Sequence, residues 1–475
     1  MSEPLLRSKS GPKSAVRSGG LSGATMEELA REAVPTGSQL AEEIELGEAS
    51  NYAELWSGLL PIGRDKGTTG YRRYAWTGAD LSCREWFAAV AGDLGLAVET
   101  DRNGNQWAWW EPAHPTDDPA HATNADFKNA ASNNAALRQD ALAIGSHLDS
   151  VPDGGAFDGP LGVISALAAI DLLRKQGWSP ARPVVVANFA DEEGARFGVA
   201  CAGSRLLTGQ LDPAKARALE DADGVSMAAA LAAAGHDPDL LGPDPERLGR
   251  IGAFVELHIE QGRALVDQDA PLGLASAIWP HGRWRFDFAG EANHAGTTRL
   301  DDRRDPMLTY AHTALSARKK AGLAGALATF GRVRVEPNGT NAIPSRVQAW
   351  LDSRAVDEET LTAVLTDISA AARARAERDG TDVRIVNESL TPLVEFDTPL
   401  RDRLGRSLGK VPVLATGAGH DAGILAHSIP TAMMFVRNPT GLSHAPSEYA
   451  QTTDCLAGVA ALTRVIADLA GAKDT

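Results

Sequence analysis

The sequence predicts an α/β fold: a mostly parallel sheet, interrupted by a smaller α+β unit. Three observations predict it. Short apolar runs at 141–144, 184–189, 254–259 and 432–436 alternate with helical or polar stretches, as strands of a parallel sheet buried on both faces do. Each run is followed closely by a polar cluster. Between 275 and 388 the pattern changes to alternating apolar and polar residues, which marks half-buried antiparallel strands.

Taken in order, residues 1–24 are rich in Ser, Gly and Lys with few large apolar residues, and are expected to form a disordered tail. Residues 25–110 read as helix, then strand. Apolar residues at helical spacing over 81–94 predict a helix, 101–105 a turn, and 106–110 a strand. The three tryptophans Trp107, Trp109 and Trp110 in that strand are expected in the core. Residues 112–138 lack periodicity and read as a surface insertion whose His114 and His121 are solvated. An apolar helix is predicted over 161–173. In the second unit, strands are predicted at 284–288, 329–335, 347–354 and 381–390, and helices at 305–321 and 358–377.

The chain has 475 residues, more than one ordinary core requires, and a net charge of -16 from 46 basic and 62 acidic residues. So acidic a chain has no general attraction for nucleic acid or an anionic membrane. An anionic substrate therefore needs a local basic pocket. No run of about 18 apolar residues is present, so no membrane span is expected. The basic N-terminus lacks the apolar stretch of a secretory signal. Cys83, Cys201 and Cys455 are far apart and odd in number, and read as reduced thiols of a cytoplasmic protein.

The polar clusters carry the chemistry. They are Gly145-Ser-His-Leu-Asp-Ser-Val151, Gly154-Gly-Ala-Phe-Asp-Gly159, Asp191-Glu-Glu-Gly194, Glu256-Leu-His-Ile-Glu-Gln-Gly262 and Gly441-Leu-Ser-His-Ala-Pro-Ser-Glu448. In open α/β sheets, ligands gather at the carboxyl ends of strands, so these positions agree with one shared site. Glycines around Asp158 let the backbone turn sharply and present it inward. Three adjacent acids at 191–193 repel one another unless a cation or water intervenes. Mixed imidazole and carboxylate ligands suit zinc or manganese, and a bridging carboxylate suits a two-metal site.

At these residues the chain resembles the dinuclear-metal amidase, aminoacylase and carboxypeptidase family. Within it, the resemblance is to the hydantoinase/carbamoylase branch. It runs from about residue 50 to the C-terminus. Gly145-Ser-His-Leu-Asp-Ser150, His258-Ile-Glu-Gln-Gly262, Asn293-His-Ala-Gly-Thr-Thr298 and Ala418-Gly-His-Asp-Ala422 carry it. The resemblance implies a di-metal catalytic domain, from 25–274 and 389–475, with 275–388 inserted as a dimerisation and lid domain. It implies two divalent ions, Zn2+ or Mn2+, with His147 and His258 on different ions and Asp158 bridging them. Glu193 and His444 complete the ligands. Glu192 is implied as general base, with Asp149 orienting His147. From the inserted domain, His294 is implied to stabilise the oxyanion across a homodimer. Asn341 and Arg354 are implied to hold a substrate carboxylate, which a guanidinium pairs in two-pronged fashion, and Gln261 to contact the ureido group.

The implied reaction is hydrolysis of a ureido (N-carbamoyl) C–N bond in a small carboxylate. Allantoate, a product of purine breakdown, leads on the look of the tryptophan-rich block and of the 437–444 segment. It would release ammonia and CO2. An N-carbamoyl-L-amino acid or a β-ureido acid is the second reading, a dipeptide or N-acyl amino acid the third, and a non-catalytic scaffold the last. The chain departs from the branch at Arg299-Leu300 (usually Pro-Met), Thr416 (often Ser), Arg437-Asn438 (often Pro-Ser) and the 112–138 insertion. None of these removes an implied ligand, and together they leave the substrate open.

Overall fold

The computed structural model describes Glu45, residues 50–112 and residues 138–471. The expected 1–24 tail lies outside the described residues, as do His114, His121 and all but the ends of the 112–138 insertion. The strands are β1 Ala97–Thr100, β2 Gln106–Trp110, β3 Ala141–His147, β4 Val184–Phe189, β5 Ile251–Ile259, β6 Leu272–Ile278, β7 His281–Ala289, β8 Asn293–His294, β9 Leu327–Glu336, β10 Ala342–Ile343, β11 Arg346–Arg354, β12 Asp382–Thr391, β13 Val394–Glu395, β14 Val413–Thr416 and β15 Thr431–Val436.

The large sheet has nine strands in the order β1-β2-β4-β3-β5-β15-β6-β13, with β14 also on β6. Its centre, β4-β3-β5-β15, is parallel throughout, while β2 and β6 flank it antiparallel. The four central strands are those predicted from their apolar runs, and nearly every residue in them is buried. Alternation sends side chains to two cores. Leu142, Ile144, Val184, Val186, Val255 and Leu257 join one, while Ala143, Val185, Ala187, Phe189 and Phe254 join the other. On the first face lie helix α1 (Tyr52–Leu59), helix α2 (Gly78–Asp93), helix α3 (Pro160–Lys175) and the C-terminal helix Thr452–Ala470. Trp107, Trp109 and Trp110 are core residues, as expected.

The second sheet, β12-β7-β11-β9, is antiparallel. One face is covered by helix Pro306–Ala324 and helix Glu358–Asp379, around Trp284, Phe286, Phe288, Leu351 and Ile368. The first of these helices starts where Asp305 accepts the Met307 N–H at 2.9 Å, with Pro306 following as the first helical residue. Residue 275, the expected start of the insertion, falls inside β6, which pairs with β15 in the large sheet. The second sheet takes up the chain at His281 and gives it back at Thr391. No helix among the described residues is long and apolar enough to cross a membrane.

Candidate metal centre and active site

Because β4, β3, β5 and β15 are parallel neighbours, their carboxyl ends share one edge of the sheet. His147 ends β3 and His258 stands one residue from the end of β5. Residues 190–193 follow β4, and the loop after β15 carries His444. Asp158 arrives from the turn before α3, whose N-terminal end favours an anion. Gly159 makes that turn possible. Its φ is +83°, and a Cβ there would lie 2.5 Å from the His147 ring. The Glu448 carboxylate holds the turn by accepting the N–H groups of Asp158 (3.0 Å) and Phe157 (3.3 Å).

Asp158 sits at the centre. Its Oδ1 faces His258 Nε2 at 3.1 Å and His147 Nε2 at 3.8 Å. Its Oδ2 faces His444 Nε2 at 3.4 Å, and His444 Nε2 lies 3.6 Å from Glu193 Oε2. Two groups with metal-ligand spacing meet at Asp158: His147, Asp158 and His258, and Asp158, Glu193 and His444. The geometry groups His147 with His258, against the expectation that they serve different ions. They project from adjacent strands, their rings stacked 6.0 Å apart, and converge on the same Asp158 oxygen. Glu192 belongs to neither group; its Oε2 is 3.7 Å from His147 Nε2.

The imidazoles are set for this arrangement. His147 Nδ1 lies 3.2 Å from the Asp149 carbonyl and 3.4 Å from its carboxylate, and His258 Nδ1 lies 2.9 Å from the Ile259 carbonyl. A proton on each Nδ1 leaves each Nε2 lone pair pointing at Asp158. The Asp149 carboxylate has a second task that the sequence did not reveal: it accepts the N–H groups of Glu192 (3.1 Å) and Glu193 (3.0 Å) and so fixes the acid run. The residues fit divalent cations. His258 Nε2 and Glu193 Oε1 are buried without a hydrogen-bond partner, and facing acceptors need a cation between them.

Behind His258 lies a buried polar group in which Glu256, His258 and His420 also have metal-ligand spacing; of its members, His420 and Asp421 came only with the resemblance. The His420 ring packs on His258 at 4.5 Å. Glu256 accepts from Ser146 Oγ (2.7 Å) and the Ala422 N–H (2.9 Å), and Ser204 donates to Asp421. Glu256 was findable: it stands two residues before His258 on the same strand face.

Gln261 lies in the cluster, donating to Asp158 Oδ2 (2.8 Å) and Ser443 Oγ (3.0 Å). The inserted unit's residues do not touch it. His294, on the two-stranded β8-β10 sheet, and Asn341, just before β10, are exposed, and Ala295 donates to the Asn341 carbonyl. Arg354 is half-buried, pairs with Asp352 (2.8 and 3.3 Å) and donates to the Gly417 carbonyl, in the loop leading to His420.

Crowding sets the electrostatics. Burial first, then neighbouring carboxylates, push Glu192, Glu193 and Asp191 well above the usual range. Burial also disfavours the His147 imidazolium, but Glu192 and Asp149 outweigh it and raise that group well above its ordinary value; His258 is raised likewise, chiefly by Asp158 against burial. Burial pushes Asp158 up, yet His258, His147 and His444 hold it well below the usual range. The signs combine simply in chelated protein. Ionising the raised acids costs stability as pH climbs above their ordinary values, and the stability from the protonated histidines is lost over the same rise. Asp158, depressed, adds no change between pH 5.5 and 8.5. Metal ions displace these protons, each worth about 1.4 kcal/mol per pH unit. The rise in Tm on adding Mn2+ or Zn2+ to chelated protein should therefore grow steadily from pH 5.5 to 8.5. A rise that is constant or shrinks with pH contradicts the ligand set.

The profile of peptidase family M20/M25/M40 matches residues 143–468. The chain belongs to the M20 family. It is 34% identical over 429 residues to the N-carbamoyl-L-amino acid amidohydrolase of Geobacillus stearothermophilus, spanning 88% of this chain and 98% of that relative. To the allantoate amidohydrolase of Escherichia coli (strain K12) it is 35% identical over 341 residues, 70% of this chain and 82% of the relative. The crystal structure of a hydantoinase/carbamoylase family amidase from Burkholderia vietnamiensis matches with a TM-score of 0.75 at 27% identity, covering 89% of this chain and 98% of that one. The matched M20 span contains both metal-ligand groups, from His147 to His444.

Proposed function

We propose that this protein is a two-metal amidohydrolase that cleaves a ureido C–N bond of a small carboxylate substrate, allantoate first. The observation that carries the reading is Asp158, which turns one oxygen to His147 and His258 and the other to His444, itself beside Glu193. His147, Asp158, Glu193, His258 and His444 would hold two divalent cations, Zn2+ or Mn2+, which would polarise the ureido carbonyl and make the attacking water more acidic. A ureido carbon needs such help, because both nitrogens donate into it.

The chain's own residues do the rest. Glu192, outside both ligand groups but beside them, takes the water's proton and returns it to the leaving nitrogen. Burial in a crowded acidic site makes it a stronger base than a solvated carboxylate. Asp149 keeps His147 in the right tautomer and fixes the backbone of the acid run. Gln261 meets the ureido group from within the cluster.

The unit from β7 to β12 acts as lid and dimerisation domain. Closure brings Asn341 and Arg354 to the substrate carboxylate and excludes water. His294 accepts the N–H groups of Gly296 (3.0 Å) and Thr297 (3.2 Å) at Nδ1. Its proton therefore sits on Nε2, ready to donate to a developing oxyanion in the partner's site. The exposed Leu308, Leu315 and Leu323 on one helix, with Leu327 and Val333 on edge strand β9, support a homodimer through this unit.

The N-carbamoyl-L-amino acid reading is favoured by the longer match, 88% of the chain against 70%. Ammonia release from allantoate, set against N-carbamoyl-L-amino acids, β-ureido acids and dipeptides, tests the reading. Fastest turnover of allantoate is expected. Preference for an N-carbamoyl amino acid keeps the chemistry and changes the substrate. Turnover of dipeptides or N-acyl amino acids alone contradicts it.

A further inference from the structure

We infer that Cys201 is a positioning residue for Glu192: its thiol holds one carboxylate oxygen and so turns the other toward the metal centre. The inference rests on Glu192 being the general base. Cys201 Sγ donates to Glu192 Oε1 at 3.2 Å. The other oxygen, Oε2, is the one 3.7 Å from His147 Nε2. The two ends of one carboxylate therefore have different duties, one anchored and one presented.

The backbone places the thiol. Cys201 N–H donates to the Glu192 carbonyl (2.5 Å), Ala202 N–H to that of Asp191 (3.0 Å) and Gly203 N–H to that of Ala190 (2.9 Å). This ladder clamps 201–203, the start of helix Ala202–Thr208, along the acid run. Cys201 and Asp191 both have left-handed backbones, with φ of +54° and +52°. Non-glycine residues persist there only where the surroundings fix them. A glutamate side chain has three rotatable bonds, and among the described residues Cys201 is the one side chain that donates a hydrogen bond to it. Cys201 is itself buried, and burial, then the charges of Glu192 and Asp421, keep the thiol protonated and able to donate.

A thiol is a weak donor, so the expected effect is moderate. Cys201→Ala removes the donor and should lower kcat about tenfold, with KM within about twofold and full metal content. Cys201→Ser keeps a donor and should stay within about threefold of wild-type kcat. Wild-type kcat in Cys201→Ala, or equal losses in both variants, overturns the inference. Infrared spectroscopy gives a readout independent of turnover. Comparing wild type with Glu192→Ala, one S–H stretching band should move to higher frequency as its acceptor is lost; an unchanged S–H region overturns the contact. The two readings fail separately. No ureido turnover by wild-type enzyme, or an active Glu192→Gln, defeats the proposed function, whereas normal Cys201→Ala turnover with an inactive Glu192→Gln defeats only the role of Cys201.

Discussion

Glu192→Gln is expected to lower kcat by about three orders of magnitude while leaving the metal content unchanged. The amide matches the carboxylate in shape and still offers Oε1 to Cys201, but it takes no proton from the attacking water. The geometry separates this residue from its neighbour: Glu193 stands with Asp158 and His444 in a ligand group and Glu192 does not. Steady-state kinetics with metal analysis on the same sample decide the matter. More than a tenth of wild-type kcat, or a loss of metal, contradicts the assignment of Glu192 as base.

Asp158→Asn is expected to abolish turnover by a different route. The side chain keeps its size, but one oxygen becomes an amide nitrogen that donates rather than ligates. The two groups of ligands share only Asp158, so losing its charge weakens both. Metal content should fall from two ions per chain to fewer than one, with kcat down by at least about a thousandfold and the far-UV circular dichroism unchanged. A variant that keeps two ions contradicts the bridging role. The contrast with Glu192→Gln, inactive but metal-replete, separates base from ligand.

Much of this was legible in the sequence for physical reasons. The central strands are buried on both faces, so they read as apolar runs, and β4 appeared with its observed ends. Parallel strands put the clusters after them on one edge, so His147, Asp158, Glu193, His258 and His444 were identifiable as one site. What the sequence hid was lateral order. That β3 and β5 are neighbours is written nowhere along the chain, and it is this that puts His147 and His258 on the same side of Asp158. Contacts between segments were hidden likewise. Asp149 reaches 43 residues to the Glu192 N–H. Cys201 read only as a reduced thiol, because nothing local shows that its backbone turns back on Glu192. The β6 strand, only seven residues with small side chains (Leu272–Ile278), merged with the start of the insertion. Arg354 was placed on its strand, but His294 and Asn341 stand apart from the cluster because they belong to a separate two-stranded sheet and its edge.

The most direct test is to strip the protein with a chelator and titrate Mn2+ or Zn2+ back while following ammonia release from its best ureido substrate. The account predicts no turnover in the stripped protein and recovery that is complete only at two ions per chain. Full activity after chelation, or complete recovery with one ion per chain, would contradict a two-metal centre bridged by Asp158.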